Sequence, residues 1–316
     1  MKTRKIIAFI VLLCVFSTTF AQITEAEKKL KTLNADTLEG WRKGVVASVN
    51  LSQTSLKNWI AGGQNSLAVN GLFSGFANYK KGKSAWESSL DVGYGVLKQG
   101  TTGYRKTDDH FELVTKYGRQ AYKSLYYAAL MSFRTQFAPG YSYENTRTLI
   151  SNHFAPAYLI LAVGLDFMPT PSFSAFISPI TSRTTFVTDP VLSDAGAFGV
   201  TPGKTSREEF GAYIRAQYTR NEFKGELLKN VALTSKISLF SNYADKPQNI
   251  DVNWETLIAL KVNKFISVSF DINLLYDDNI KVPFDKNGDG IIEPGEAVGS
   301  KTQLKEILGV GFSYKY

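Results

Sequence analysis

The chain is 316 residues long, 13% aromatic and 20% charged, with a formal net charge of +8. Its mean hydropathy of −0.12 and the lack of a second long apolar run argue against a bundle of membrane-spanning helices. Lys and Arg are scattered rather than clustered, which sets nucleic-acid binding aside and suits an anionic lipid surface better.

The first residues read as a secretory signal. Lys2, Arg4 and Lys5 are basic, Ile6 to Phe20 are apolar, and Thr19 and Ala21 suit the −3 and −1 sites of a signal peptidase. The apolar run is about 15 residues, short of the roughly 20 a spanning helix needs. Cleavage after residue 21 removes these three charges, lowering +8 to +5, and with them the single cysteine, Cys14. Disulfides, thiolate zinc sites and thiol catalysis are then not expected. Residues 22–42 follow as a short N-terminal periplasmic segment. From Ile23 to about Trp41 its charge pattern, with Glu25, Glu27, Lys28, Lys29 and Lys31, predicts a polar helix.

From Lys43 onward, apolar residues alternate with polar ones at a period of two. Val45, Ala47, Val49 and Leu51 share one face. So do Trp86, Leu90, Val92, Tyr94 and Val96, and later Leu159, Leu161, Val163, Leu165 and Phe167. Continued to the end, the pattern predicts an all-β fold, a transmembrane antiparallel β-barrel of about 12 strands spanning residues 43–316. The connections alternate in length. Lys80–Lys83, Arg119–Lys123, Met168–Ser172 and Val262–Lys264 are short, with Asn221–Lys229 the one longer connection in this set. Gln53–Asn65, Gln99–Lys106, Ala138–His153, Thr188–Ser206 and Lys281–Lys301 are long and rich in turn residues. Short inside and long outside is the pattern of outer-membrane barrels, and a two-sheet sandwich is the alternative. On the face opposite the lipid fall Glu87, Asp91, Glu112, Lys116, Arg134, Glu209, Arg215, Lys236, Glu255, Lys261, Asp271 and Lys315, with Tyr126, Tyr213 and Phe240 among them. Mixed signs predict a narrow or plugged lumen rather than a wide charge-selective pore.

Within the first long connection, Trp59 and the pair Gly62-Gly63 suggest a loop that folds back, either as ordinary turn chemistry or as a plug or gate. His110, after Asp108 and Asp109, and His153, after Asn152, are the two histidines. Outer-membrane phospholipases are similar in strand number and calcium use, but their His-x-Ser arrangement is missing, since Phe111-Glu112 and Phe154-Ala155 follow. Outer-membrane proteases place Asp pairs and an Asp–His pair at the outer rim, which Asp108, Asp109 and His110, with Asp277 and Asp278, partly match.

The sharpest motif is the calcium-type loop 285–296. Asp285, Asn287 and Asp289 offer side-chain oxygens, Ile291 a carbonyl, Glu293 a direct or water-mediated ligand and Glu296 a bidentate carboxylate. Gly290 permits the turn. Pro294 and Gly295 argue against a following helix, so a structural Ca²⁺ site flanked by strands is expected, with an empty Asx-rich turn as the alternative. The chain finishes on Leu308 to Tyr316, where Gly311, Phe312, Tyr314 and Tyr316 resemble the barrel-closing strand that outer-membrane proteins present to the barrel-assembly machinery.

Gly40-Trp41-Arg42-Lys43-Gly44, the Leu-x-x-Trp-x-x-Gly-Gly-x-Asn run at 56–65, Trp86-Glu87 and Tyr94-Gly95 together resemble an uncharacterised family of Gram-negative outer-membrane barrel proteins, classed as a domain of unknown function. The resemblance extends over nearly the whole mature chain. It implies the barrel and the outer membrane, with membrane lipid as partner, and brings no substrate or catalytic residue. Three functions stay open: passage of a small solute through a narrow or gated channel, a structural or interaction role with envelope proteins, and a membrane-embedded hydrolase.

Overall fold

The computed structural model describes residues 39–57, 64–101, 103–142, 148–170, 172–221, 223, 228, 230–261, 266–283 and 298–312. The alternating segments become strands β1 (Gly40–Thr54), β2 (Ser66–Lys81), β3 (Ser84–Gln99), β4 (Arg105–Tyr122) and β5 (Leu125–Thr135). After two short strands, β6 (Gly140–Ser142) and β7 (Thr148–Ser151), come β8 (Ala157–Thr170), β9 (Phe173–Phe186), β10 (Ser206–Asn221), β11 (Val231–Asn242), β12 (Ile250–Lys261) and β13 (Ile266–Tyr276). The pair β14 (Val282–Pro283) and β15 (Val298–Gly299) precedes β16 (Gln303–Phe312). Twelve of these form one antiparallel meander in the order β1-β2-β3-β4-β5-β8-β9-β10-β11-β12-β13-β16. The pairs β6/β7 and β14/β15 are small hairpins within connections.

The first strand starts earlier than the sequence pattern predicts. Gly40 and Trp41, read as the end of a helical segment, and Arg42, read as the last residue of the periplasmic segment, pair with Lys80, Tyr79 and Asn78 of β2. The Trp41 and Tyr79 rings lie 5.0 Å apart, and Trp41 also approaches Trp86 at 6.4 Å. This cross-strand aromatic packing outweighs the weak helical tendency of a lone polar segment. The signal at 1–21 and the helix expected before Glu39 lie outside the described residues.

Polar and apolar side chains are inverted relative to a water-soluble domain. Among the described residues, Val163 (59% exposed), Ile180 (58%), Ile177, Phe210 and Leu161 lie open on one face, while Asp166, Thr181, Thr185, Ser178 and Glu209 are buried on the other. The apolar row of β8 that alternation predicts is therefore the exposed one. No helix among the described residues is long and apolar enough to cross a membrane, a test that does not address strands.

The two ends of the sheet differ. On one side β2 turns into β3 through Gly82-Lys83, and β4 into β5 through Lys123-Ser124. On the other, the β5–β8 and β9–β10 connections build a layer of their own. Helix α1 (Pro190–Asp194) is capped by Asp189, whose Oδ1 accepts the Leu192 amide at 3.1 Å. Leu192, Val187 and Val200 bury themselves against Ala155 of the neighbouring connection. Asn152 Nδ2 donates to Asp189 Oδ2 at 2.8 Å, tying the two connections together.

Candidate functional site

Because side chains alternate along each strand, the buried face of the sheet collects its charges in one enclosed space. A cavity of about 440 Å³ is lined from β2 (Asn78), β3 (Glu87, Asp91), β4 (Glu112, Lys116), β5 (Arg134), β8 (Asp166), β9 (Phe176), β10 (Arg215), β11 (Lys236), β12 (Glu255), β13 (Asn273) and β16 (Lys305). The sheet thus curls until β2 and β16 face the same space. A second cavity, of about 320 Å³, lies toward the long connections, bordered by Gln136, Pro156 and Ile280. Asp109, His110, Glu112, Arg134 and Arg215 border both. Of the residues assigned to the lumen by alternation, Glu87, Asp91, Glu112, Lys116, Arg134, Arg215, Lys236 and Glu255 line these cavities, Tyr213 and Phe240 line the smaller one, and Glu209 is buried. Lys261, Asp271 and Lys315 have side chains outside the described set.

Two ion-pair clusters brace the space. In the larger cavity Lys116 Nζ lies 3.1 Å from Glu87 Oε2 and also bonds Asp166. Nearer the long connections, Arg183 gathers three carboxylates. Its Nη2 is 2.7 Å from both Glu209 Oε2 and Asp251 Oδ2, and its Nη1 is 3.6 Å from Asp277 Oδ2. Arg207 Nη2 adds a 2.9 Å bond to Glu209, and the Arg183 guanidinium lies 4.2 Å from the Phe240 ring centroid. A low-dielectric wall makes such pairs costly to break.

Sequence pattern does not anticipate Arg183. Apolar alternation in β9 reaches Ile177 and then slips, because a bulge at Ser178-Pro179 inserts residues opposite Gly164. Ser178 Oγ lies in the bulge 2.8 Å from the carbonyls of both Val163 and Ile180, its single proton available to either. After the slip Thr181, Arg183 and Thr185 are buried, so the strand's polar face switches parity. Pro179, usually a strand stop, is the local signal for such a bulge.

The histidines part company. His110 Nδ1 is 3.1 Å from Asp108 Oδ1, and both line the larger cavity. Asp109, at the border of both cavities, is otherwise engaged: it accepts the Phe137 and Ala138 amides at 2.8 Å each and Lys106 Nζ at 2.9 Å, anchoring the connection after β5. His153 Nδ1 is 3.2 Å from the Gln136 carbonyl and its ring meets Phe154 edge-on. Asp277 is held by Arg183 and the Asn279 amide, and Asp278 accepts Asn249 Nδ2 at 2.9 Å. Among the described residues neither imidazole ring is hydrogen-bonded to a serine or threonine hydroxyl; the Thr188 hydroxyl donates to the His153 backbone carbonyl instead. Of the aspartates that matched a protease pattern, Asp109, Asp277 and Asp278 are engaged as structural anchors, while Asp108 stays paired with His110 at the cavity.

The calcium-type residues Asp285, Asn287, Asp289, Ile291, Glu293 and Glu296 lie outside the described residues. Their stem does not: Pro283 pairs with Val298 and Val282 with Gly299, and Ser300 Oγ donates to the Asp278 carbonyl at 2.7 Å. Strands flank the segment, as the sequence predicts. Trp59, Gly62 and Gly63 are likewise outside the described residues, as are Tyr314 and Tyr316. Gly311 and Phe312 close β16, pairing with Ser267 and Ile266. No cluster of metal-binding side chains occurs among the described residues.

Fold and site together define an all-β protein, one curled antiparallel sheet around a charged interior. A family model described as a protein of unknown function (DUF3078) matches residues 51–141. That stretch reaches from the end of β1 to β6 and carries Glu87, Asp91, Asp108, His110, Glu112, Lys116 and Arg134 of the cavity wall. It includes the run at 56–65, Trp86-Glu87 and Tyr94-Gly95, whereas Gly40–Gly44 falls outside it, so the match is shorter than the resemblance implied. No curated protein and no solved structure matches the chain.

Proposed function

We propose that the chain is an outer-membrane β-barrel of a Gram-negative bacterium, closed by its first and last strands, that lets small solutes through a narrow lumen. One observation carries this reading: the open face of the sheet is apolar while the enclosed face is charged. Water-soluble domains bury the opposite set, and a large exposed apolar surface calls for a lipid partner. The aromatic residues fit the same picture. Trp86 and Tyr94, both exposed on β3, are eight residues apart, about 26 Å along a strand at roughly 3.3 Å per residue. At the roughly 40° strand tilt of such barrels this projects to about 20 Å, a span that fits inside their roughly 25 Å apolar band.

The lumen in this reading is narrow because paired charges fill part of it, with Lys116 and Arg183 as the braces. Protein folded in detergent and reconstituted in planar bilayers is the test. Small, discrete conductance steps support passage. A polypeptide that remains dispersed and folded without detergent, and carries no current, overturns it.

A second reading rests on the ordered layer of α1 and the β5–β8 connection, which packs its own apolar cluster. Such a rim offers a fixed surface to another envelope component. In either case the loop 285–296 is proposed as a structural Ca²⁺ site, the paired stem β14/β15 bringing its two ends together.

A further inference from the structure

The cations of the enclosed space fall into two groups. Lys116, Arg183 and Arg207 each have a carboxylate partner. Arg134 and Arg215 form no ion pair among the described residues, although both sit where the two cavities meet. Arg134 stands opposite Glu112 in the β4/β5 register, and Glu255 is the other carboxylate within electrostatic reach of both arginines. Lys236 stands opposite Glu255 in the β11/β12 register, and Asp91 and Asp108 lie further out around the same cations. Among the described residues none of these carboxylates comes within ion-pair distance of Arg134 or Arg215, so the two guanidinium forks are left without a planar acceptor.

The surroundings of the smaller cavity supply the rest of a binding site. Ile160, Tyr213 and Phe240 form an apolar wall beside the arginines. Phe176 and Tyr213 pack with ring centroids 6.4 Å apart, and the Tyr213 hydroxyl donates to Ser238 Oγ at 3.2 Å. A volume of about 320 Å³ is of the order that takes a small organic molecule. An arginine fork matches a carboxylate in two parallel hydrogen bonds, which a point-charge lysine does not reproduce.

We propose that Arg134 and Arg215 form a binding site for a small organic carboxylate with an apolar body, the anion held between the two guanidiniums and the body against Ile160, Tyr213 and Phe240. This deepens the passage reading, since it rests on the enclosed space being a solute path and names the class of solute.

Benzoate and its neutral isostere benzamide test it on the full chain folded in detergent, by calorimetric titration, with bilayer conductance recorded on the same preparation. Benzoate is expected to bind at least tenfold more tightly than benzamide, and Arg134→Gln and Arg215→Gln each to weaken benzoate tenfold or more. Heat-modifiable gel migration reports whether each variant folds. If a glutamine variant does not fold, Arg134→Lys and Arg215→Lys retain the charge and are expected to weaken benzoate by a smaller factor. Equal binding of benzoate and benzamide overturns the proposal, as does wild-type benzoate affinity in the folded variants. Conductance without benzoate preference keeps the passage reading and overturns the carboxylate site. Benzoate preference without conductance keeps the site and overturns passage.

Discussion

Gly93 of β3 faces His110 of β4 in register, and a β-carbon on Gly93 would stand 2.3 Å from the imidazole Cε1 and 2.6 Å from Asp108 Oδ2. The missing side chain is what lets the Asp108–His110 pair lie across the neighbouring strand. Gly93→Ala should therefore fold, because a side chain can swing aside, but should break the 3.1 Å contact between His110 and Asp108. The imidazole resonances of His110 would shift in NMR spectra and lose their dependence on Asp108→Asn. Gly164→Ala should be far worse, since its β-carbon would meet the Ile177 carbonyl oxygen at 2.0 Å, a backbone atom with no rotamer to change. Overpacking of this kind costs about 1–3 kcal/mol or more, readable as a lowered urea midpoint for unfolding.

Arg183 is the common partner of Glu209, Asp251 and Asp277. Replacing it by methionine removes the shared cation from three neighbouring carboxylates, of which Glu209 keeps its bond to Arg207. A loss of about 3–5 kcal/mol is expected for removing one side of a buried pair. Glu209→Gln in the same chain should recover part of that loss. Urea unfolding of the two single variants and the double variant measures the coupling, and strict additivity would contradict the cluster.

Lys116 neutralises Glu87 and Asp166 in the larger cavity. With Lys116→Met, two uncompensated carboxylates would face the proposed path. Reversal potentials in a salt gradient should move toward cation selectivity, because one sign of charge then dominates that stretch of wall. An unchanged potential would place the path elsewhere.

Asp189 has its carboxyl held below the usual aspartate value of 3.8, first by the Asn152 amide and then by the Leu192 backbone N–H at the start of α1. A lowered folded value means the carboxylate stabilises the rim above the unfolded value, and that this contribution is lost as pH falls through the folded one. The tie between the two connections should thus hold at neutral pH and loosen only below about pH 4. Hydrogen exchange at the Leu192 amide should accelerate there. Asn152→Ala should raise the pH at which exchange begins to accelerate.

For the proposed calcium loop, millimolar Ca²⁺ should protect the segment between β14 and β15 from protease. Asp285→Ala and Glu296→Gln should each remove that protection, the second by deleting the bidentate ligand. Cleavage that is indifferent to the ion in the parent chain would leave the motif as a turn.

The strand ladder was legible because each strand keeps one face apolar. Leu159, Leu161, Val163, Leu165 and Phe167 alternate without interruption, and β8 forms there. Legibility failed where the period slips or where a partner strand decides. Arg183 lies beyond a bulge whose only local sign is Pro179, so its parity cannot be read by counting from Ile177. Gly40–Arg42 gain strand structure from Tyr79 and Trp86, which alternation within the segment does not reveal. Asp166 and Asp251 carry the parity of buried positions, but their partners, Lys116 and Arg183, sit on strands distant in sequence. Alternation can say that a charge points inward; only the curl of the sheet says which charge it meets.

The unequal connections have a practical outcome for anyone who wishes to engineer this scaffold. Gly82-Lys83 and Lys123-Ser124 reverse the chain in two residues and leave no slack for a graft. Epitope tags and foreign peptides belong on the opposite rim, where the polypeptide already wanders between strands.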